Sequence, residues 1–280
     1  AQVSKLLEPL SKKQSILSDE EKARCTRFVV KPPRESFIVS HVLLRLCLSV
    51  FLGCDPKEPV YGLKTKKKPY LRLPQLKESP IHFNISHSED YVAIIFSSVE
   101  ASGVDIQYHS SSAQIKTVAK RYLCQLEKKY FDNLKNDKKQ AWFFRLWVIK
   151  EAISKAMGLG LSFPIKDING LLIDEANHLV VNSSYVRKQS SEWALEFVDV
   201  ATDYSCCVAT AKTKTKSVCT LTWPKRARRL PSPKAVSVCP AHAAGPSSSG
   251  DSRHARHSCV SISTTCPPSL YLPLLPGAWR

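Results

Sequence analysis

Residues 142–160 read WFFRLWVIKEAISKAMGLG, the stretch in which a helical apolar pattern and unusually placed charge coincide. Trp142, Phe143, Leu146, Trp147, Ile149, Ile153, Ala156 and Met157 recur at mostly helical spacing and predict a wide buried stripe. Lys150, Glu151 and Lys155 are set into that stripe. Glu151 and Lys155 stand four apart and share a helical face, with Trp147 one turn before them. Alone, such a pair is an ordinary i,i+4 ion pair contributing about 0.2–0.5 kcal/mol. Two further segments, FNISHS at 83–88 and GVDIQ at 103–107, bring a histidine and a second carboxylate.

Upstream, LLEPL near the start suggests a short strand or turn. Ser18 and Glu21 form a capping-box pattern that predicts a helix to about Val29. Pro32 and Pro33 end it, and a long apolar helix follows from about Arg34 to a Gly53 cap, with Arg45 as its basic intruder. Residues 54–80 are a proline-bearing connection with the basic run Lys64, Lys66, Lys67 and Lys68, then Pro69: a solvated loop or a phosphate rim. IHFNIS and YVAIIFSS flank the polar HSED and predict a β-hairpin with His87 at its turn. GVDIQ is a third strand, with Asp105 and Gln107 on one side because side chains alternate. Helical stretches are expected near 113–123 and 125–134, and Asp137 is expected to cap the organising helix.

Beyond that helix, GLLID, HLVVNSS, WALEFVDV and YSCCVATAK read as strands. The order of helices then hairpin thus occurs twice, which predicts an α+β fold of two similarly built halves, 1–102 and 103–212. Residues 213–280 carry ten Lys and Arg, one acid and nine of the chain's 18 prolines, and are expected to be a disordered basic tail.

Lys and Arg number 41 against 24 Asp and Glu, a balance that suits a phosphate-bearing ligand, an acidic protein or nucleic acid. The ten cysteines lack paired zinc-type spacing, which points to a reducing cytoplasmic setting. With no charged segment leading into an apolar run and no stretch of 18 apolar residues, neither secretion nor membrane spanning is expected.

Asp105 and Glu151 are hard oxygen ligands from two elements, and carboxylates together with substrate phosphates are the usual way to hold Mg²⁺. Lys155, Lys31, Arg34, Arg45 and Lys68 supply cations for the phosphates. The sum is a magnesium-phosphate site without a glycine-rich P-loop.

FNISHS, GVDIQ and WVIKEAISKAMGLGLSFPI, in this order over roughly residues 15–212, resemble the motif series of the Sfp-type 4′-phosphopantetheinyl transferases. The last motif of that family, Trp-x-x-Lys-Glu-x-x-x-Lys, is matched by Trp147, Lys150, Glu151 and Lys155. The resemblance implies two α/β halves related by a pseudo-twofold axis, with coenzyme A and Mg²⁺ between them. It implies transfer of the phosphopantetheine arm to a serine of an acyl or peptidyl carrier protein of fatty acid, polyketide or non-ribosomal peptide synthesis, releasing 3′,5′-ADP from a monomeric enzyme.

By that likeness Asp105 and Glu151 hold the metal, Glu151 or a water it orients takes the serine proton, and Lys155 stabilises phosphate charge. Ser86 and His87 hydrogen-bond the coenzyme phosphates, and Lys68 and Pro69 match the end of a Gly-Lys-Pro motif whose glycine is Lys67 here. Gln107 stands where many members carry a second glutamate, and its amide oxygen is a neutral metal ligand. Two alternatives are a catalytically impaired transferase-like protein, suggested by Gln107, and a basic RNA-binding protein, which would not explain the ordered motifs.

Overall fold

A computed structural model describes residues 1–63, 68–72, 81–110, 112–160, 164–181 and 192–212. Lys64, Lys66 and Lys67 lie outside the described residues, as does the tail from residue 213.

The first segment is helical, α1 (Val3–Ser11), where LLEPL suggested a strand or turn. Pro9 interrupts its hydrogen bonding, and a distant side chain secures its start: the Asp90 carboxylate accepts from Ser4 N–H and Ser4 Oγ, each at 2.7 Å. Ser18 caps α2 (Asp19–Thr26), and Glu21 answers by accepting Ser18 N–H at 2.8 Å. The long helix α3 (Lys31–Leu52) begins before Arg34, because Pro32 and Pro33 fall in its first turn, where no backbone donor is needed. Gly53, at φ 65°, closes it in the left-handed conformation. By length and hydropathy alone α3 is apolar enough to cross a membrane, yet it buries Ser36, Ser40 and Arg45 within the fold.

Within the proline-bearing connection, β1 (Val60–Leu63) pairs antiparallel with β2 (Pro69–Arg72). The next hairpin, β3 (His82–Ser88) against β4 (Tyr91–Ser97), turns through Glu89 and Asp90, Glu89 having a φ of 46°. His87 therefore lies in the strand, paired with Val92, rather than at the turn.

The second part of the chain runs β5 (Ser102–Tyr108), α4 (Ser112–Tyr122), α5 (Gln125–Asn133), α6 (Asn136–Met157), β6 (His178–Val180), β7 (Glu192–Phe197) and β8 (Tyr204–Ala211). The strands form one antiparallel sheet in the order β5-β8-β7-β6. Residues Gly170–Leu172 of GLLID are a short 3₁₀ turn instead of a strand, because the Asn169 side chain accepts Leu171 N–H at 3.1 Å and draws the chain round. The N-cap of α6 is Lys135; Asp137 sits in the first turn, where its charge favours the helix dipole. Gly158, at φ 67°, ends α6.

α6 lies across β5 and β8 and buries Val148, Ile149, Ala152, Ile153 and Ala156 against Leu179, Trp193, Cys207 and Ala209. The approach to β5 is so close that a Cβ on Gly103 would stand 2.2 Å from the Ala152 carbonyl oxygen and 2.5 Å from Ala156 N. Both are backbone atoms and have nowhere to retreat. On its other edge β5 meets β3 through side chains: Asn84 Oδ1, Ser86 Oγ and Ser88 Oγ accept the N–H groups of Val104, Ile106 and Tyr108 at 3.1, 3.3 and 2.9 Å.

Gly103→Ala should therefore cost at least the usual overpacking penalty of about 1–3 kcal/mol in chemical denaturation, whereas an alanine at the exposed Val29 should leave the midpoint unmoved.

Candidate active site

The alternation of β5 turns Asp105 towards α6, and one face of α6 presents Glu151 and Lys155 to it. Lys155 does not pair with Glu151 along its own helix. Its Nζ donates to Asp105 Oδ1 at 2.6 Å and to Ser86 Oγ at 2.7 Å, across the line where β3 meets β5. Ser86 Oγ in turn donates to Asp105 Oδ1 at 2.8 Å. Asp105 is buried at 5% exposure, and Ser86 at 4%.

Two carboxylate oxygens remain over. Asp105 Oδ2 and Glu151 Oε1 are buried without a hydrogen-bond partner among the described residues. Burial, and next the neighbouring Asp105 charge, push the Glu151 carboxyl above its ordinary value, with Lys155 offsetting only part. Buried carboxylate oxygens without donors ask for a cation. No three His, Cys, Asp or Glu side chains converge as a metal cage among the described residues. A pair of carboxylates with room for phosphate oxygens and water suits Mg²⁺, which seldom takes an all-protein shell. Gln107, half-buried on the same side of β5, donates Nε2 to the Tyr108 carbonyl at 3.5 Å.

His87 faces outward at the rim. Partial desolvation and then the Lys155 ammonium hold its imidazole below the ordinary value, with smaller contributions from His41 and Arg24. Arg24 was not foreseen; it lies over the Phe37 ring, on which His41 stacks, and so adds to a positive rim. Lys68 Nζ donates to the carbonyls of Glu100 at 2.6 Å and Ala156 at 2.7 Å, a cation at the C-terminal end of α6. Pro69 follows it as the first residue of β2. Lys31 and Arg34 stand exposed on the first turns of α3, Lys31 beside Glu35 at 3.6 Å.

Arg45, expected beside the phosphates, is instead 3% exposed. Its Nε donates to Glu21 Oε2 at 2.6 Å, and its Nη1 to the carbonyls of Pro56, Lys57 and Pro59 at 3.2–3.3 Å. Glu21 also takes hydrogen bonds from His41 and Tyr61, so the guanidinium ties α2, α3 and the β1 approach together. An apolar helix with one arginine signals burial, but not the partner that neutralises it.

Lys150 was equally unforeseen as a structural ion. It is fully buried and paired at 2.9 Å with Glu127, itself fully buried, and donates to the carbonyls of Ile165 and Ile168 at 3.1 and 2.5 Å. Glu127 accepts Cys124 N–H at 2.8 Å and Gly170 N–H at 2.9 Å. This network fixes the segment after α6 one residue from Glu151.

Residues 7–99 match the family described as 4′-phosphopantetheinyl transferase, N-terminal, and residues 101–209 match the 4′-phosphopantetheinyl transferase superfamily. The 4′-phosphopantetheinyl transferase Sfp of Bacillus subtilis (strain 168) is 32% identical over 164 residues, covering 56% of this chain and 69% of Sfp. The chain belongs to the 4′-phosphopantetheinyl transferase superfamily. The 4′-phosphopantetheinyl transferase HetI of Nostoc sp. (strain PCC 7120 / SAG 25.82 / UTEX 2576) is 32% identical over 146 residues, 52% of this chain, and the chain spans 61% of HetI's length. Within the superfamily match at 101–209 fall Asp105, Glu151 and Lys155, the three charged groups at the seam.

Two outcomes are expected. The folded chain keeps the Glu151 carboxyl protonated to higher pH than the unfolded chain does, so stability falls as pH rises from the ordinary glutamate range through the raised value. Glu151→Gln should then raise the melting temperature of the metal-free protein near neutral pH, and the gain should vanish below the ordinary glutamate range. Lys150→Met, which strands the buried Glu127 charge, should cost about 3–5 kcal/mol in denaturant unfolding, and adding Glu127→Gln should recover part of the loss.

Proposed function

We propose that the chain transfers the 4′-phosphopantetheine arm of coenzyme A to the serine hydroxyl of an acyl or peptidyl carrier protein, with Mg²⁺, releasing 3′,5′-ADP. The observation that carries this reading is the pair of donorless carboxylate oxygens, Asp105 Oδ2 and Glu151 Oε1, beside the Lys155 ammonium in a chain of this superfamily. On this reading residues 1–102 and 103–212 are two halves related by a pseudo-twofold axis, the coenzyme lies between them, and the enzyme works as a cytoplasmic monomer.

Asp105 and Glu151 would hold the metal, with Gln107 contributing its amide oxygen or a water. When bound, Mg²⁺ supplies charge neutralisation on the pyrophosphate. The carrier serine Oγ attacks the phosphorus that bears the pantetheine arm; a new P–O bond forms there, and the bridging P–O bond breaks with its electrons leaving on 3′,5′-ADP. Glu151, or a water it orients, takes the serine proton. Lys155, held between Asp105 and Ser86 at 26% side-chain exposure, stabilises charge on the phosphates. His87, with Lys31, Arg34, Lys68 and Arg24 around the rim, attracts the remaining phosphates.

Incubation with an apo acyl carrier protein, coenzyme A and Mg²⁺ should add the mass of the phosphopantetheine arm to the carrier in mass spectrometry. Asp105→Ala or Glu151→Ala should abolish that gain, whereas Gln107→Glu should keep or raise the rate by restoring an anionic ligand. A carrier that stays at its apo mass with the unaltered chain, or full transfer by Asp105→Ala at low Mg²⁺, would overturn the reading.

A further inference from the structure

We propose that Ser86 is a positioning residue for Asp105 rather than a phosphate ligand, an inference that rests on the metal assignment above. A hydroxyl has one hydrogen to donate and two lone pairs to accept with. Ser86 uses all three: it donates to Asp105 Oδ1 at 2.8 Å, and accepts from Lys155 Nζ at 2.7 Å and Ile106 N–H at 3.3 Å. Donation to a phosphate oxygen would require it to release Asp105. It is also 4% exposed, between two strands, whereas His87, the next residue along, faces outward.

What Ser86 does is select which carboxylate oxygen is spent. Among the described residues, both side-chain donors to Asp105, Ser86 Oγ and Lys155 Nζ, fall on Oδ1. Oδ2 is thereby left buried and donorless. A carboxylate anchored through one oxygen by two donors cannot rotate its other oxygen away without breaking both bonds, so Oδ2 is presented in one orientation. Groups that orient a metal ligand in this way are worth about 10–100-fold in metal affinity. The anchor itself is held by the backbone: Ile106 N–H comes from the residue after Asp105, so hydroxyl and carboxylate keep a fixed separation along β5.

Binding measurements on the full chain separate this role from phosphate binding. Mn²⁺ is titrated with saturating coenzyme A and followed by electron paramagnetic resonance; coenzyme A alone is titrated in EDTA by calorimetry. Ser86→Ala should weaken Mn²⁺ binding by about tenfold or more and leave coenzyme binding in EDTA little changed. Ser86→Cys, close in size but a poor donor, should weaken Mn²⁺ binding in the same sense, which keeps the test open if the alanine variant misfolds. Ser86→Thr, which retains the hydroxyl, should bind Mn²⁺ like the unaltered chain. Loss of coenzyme binding in EDTA with Mn²⁺ binding intact would make Ser86 a phosphate ligand and overturn the proposal. Asp105→Ala is the control: if it binds Mn²⁺ normally, the metal assignment itself fails; if it loses Mn²⁺ while the Ser86 variants do not, only the positioning role fails.

Discussion

Every N–H of a buried strand needs an acceptor, and along its open edge β5 finds three of them in side chains. Asn84, Ser86 and Ser88, alternate residues of β3, reach across to Val104, Ile106 and Tyr108, which are alternate residues of β5. An ordinary ladder would have brought the two backbones together and closed the sheet. Side-chain acceptors hold the strands further apart, and into that widened line the Lys155 ammonium can enter from α6. The site is thus a consequence of how one strand edge is satisfied.

Three charged residues lie within six positions of α6, and the fold treats each differently. Lys150 is withdrawn wholly into the interior with Glu127, where removal of either partner strands the other. Lys155 is turned to Asp105 at the seam, at 26% side-chain exposure and so still reachable by solvent or phosphate. Glu151 keeps an oxygen without a donor and a raised carboxyl pKa, a condition that costs stability in the metal-free chain. Functional charge here is the charge that structure leaves unanswered.

Much of this was legible in residue order. The capping box at Ser18, the glycine end at Gly53, the β3–β4 hairpin and the shared side of Asp105 and Gln107 follow from local rules, and local rules govern them in the fold. The failures share a cause. LLEPL is helical because Asp90, far along the chain, supplies its cap; Arg45 is structural because Glu21, on which His41 and Tyr61 also converge, takes its charge; Ser86 is spent on Asp105, Lys155 and Ile106, which other elements bring to it. None of these partners is visible in a window around the residue concerned. Pro32 and Pro33 misled differently, since proline breaks a helix interior but suits a first turn.

The capping of α1 by Asp90 also bears on the order in which the protein is made. α1 leaves the ribosome while the carboxylate that holds its first turn, 86 residues further on at Ser4's partner, is still unsynthesised. Pro9 leaves the short helix too weak to persist alone. α1 therefore waits, unfixed, until the β3–β4 turn has emerged and formed. This segment is translated before the strand that carries Ser86 and His87 yet is secured only after it, so docking of α1 reports that this side of the site is already in place.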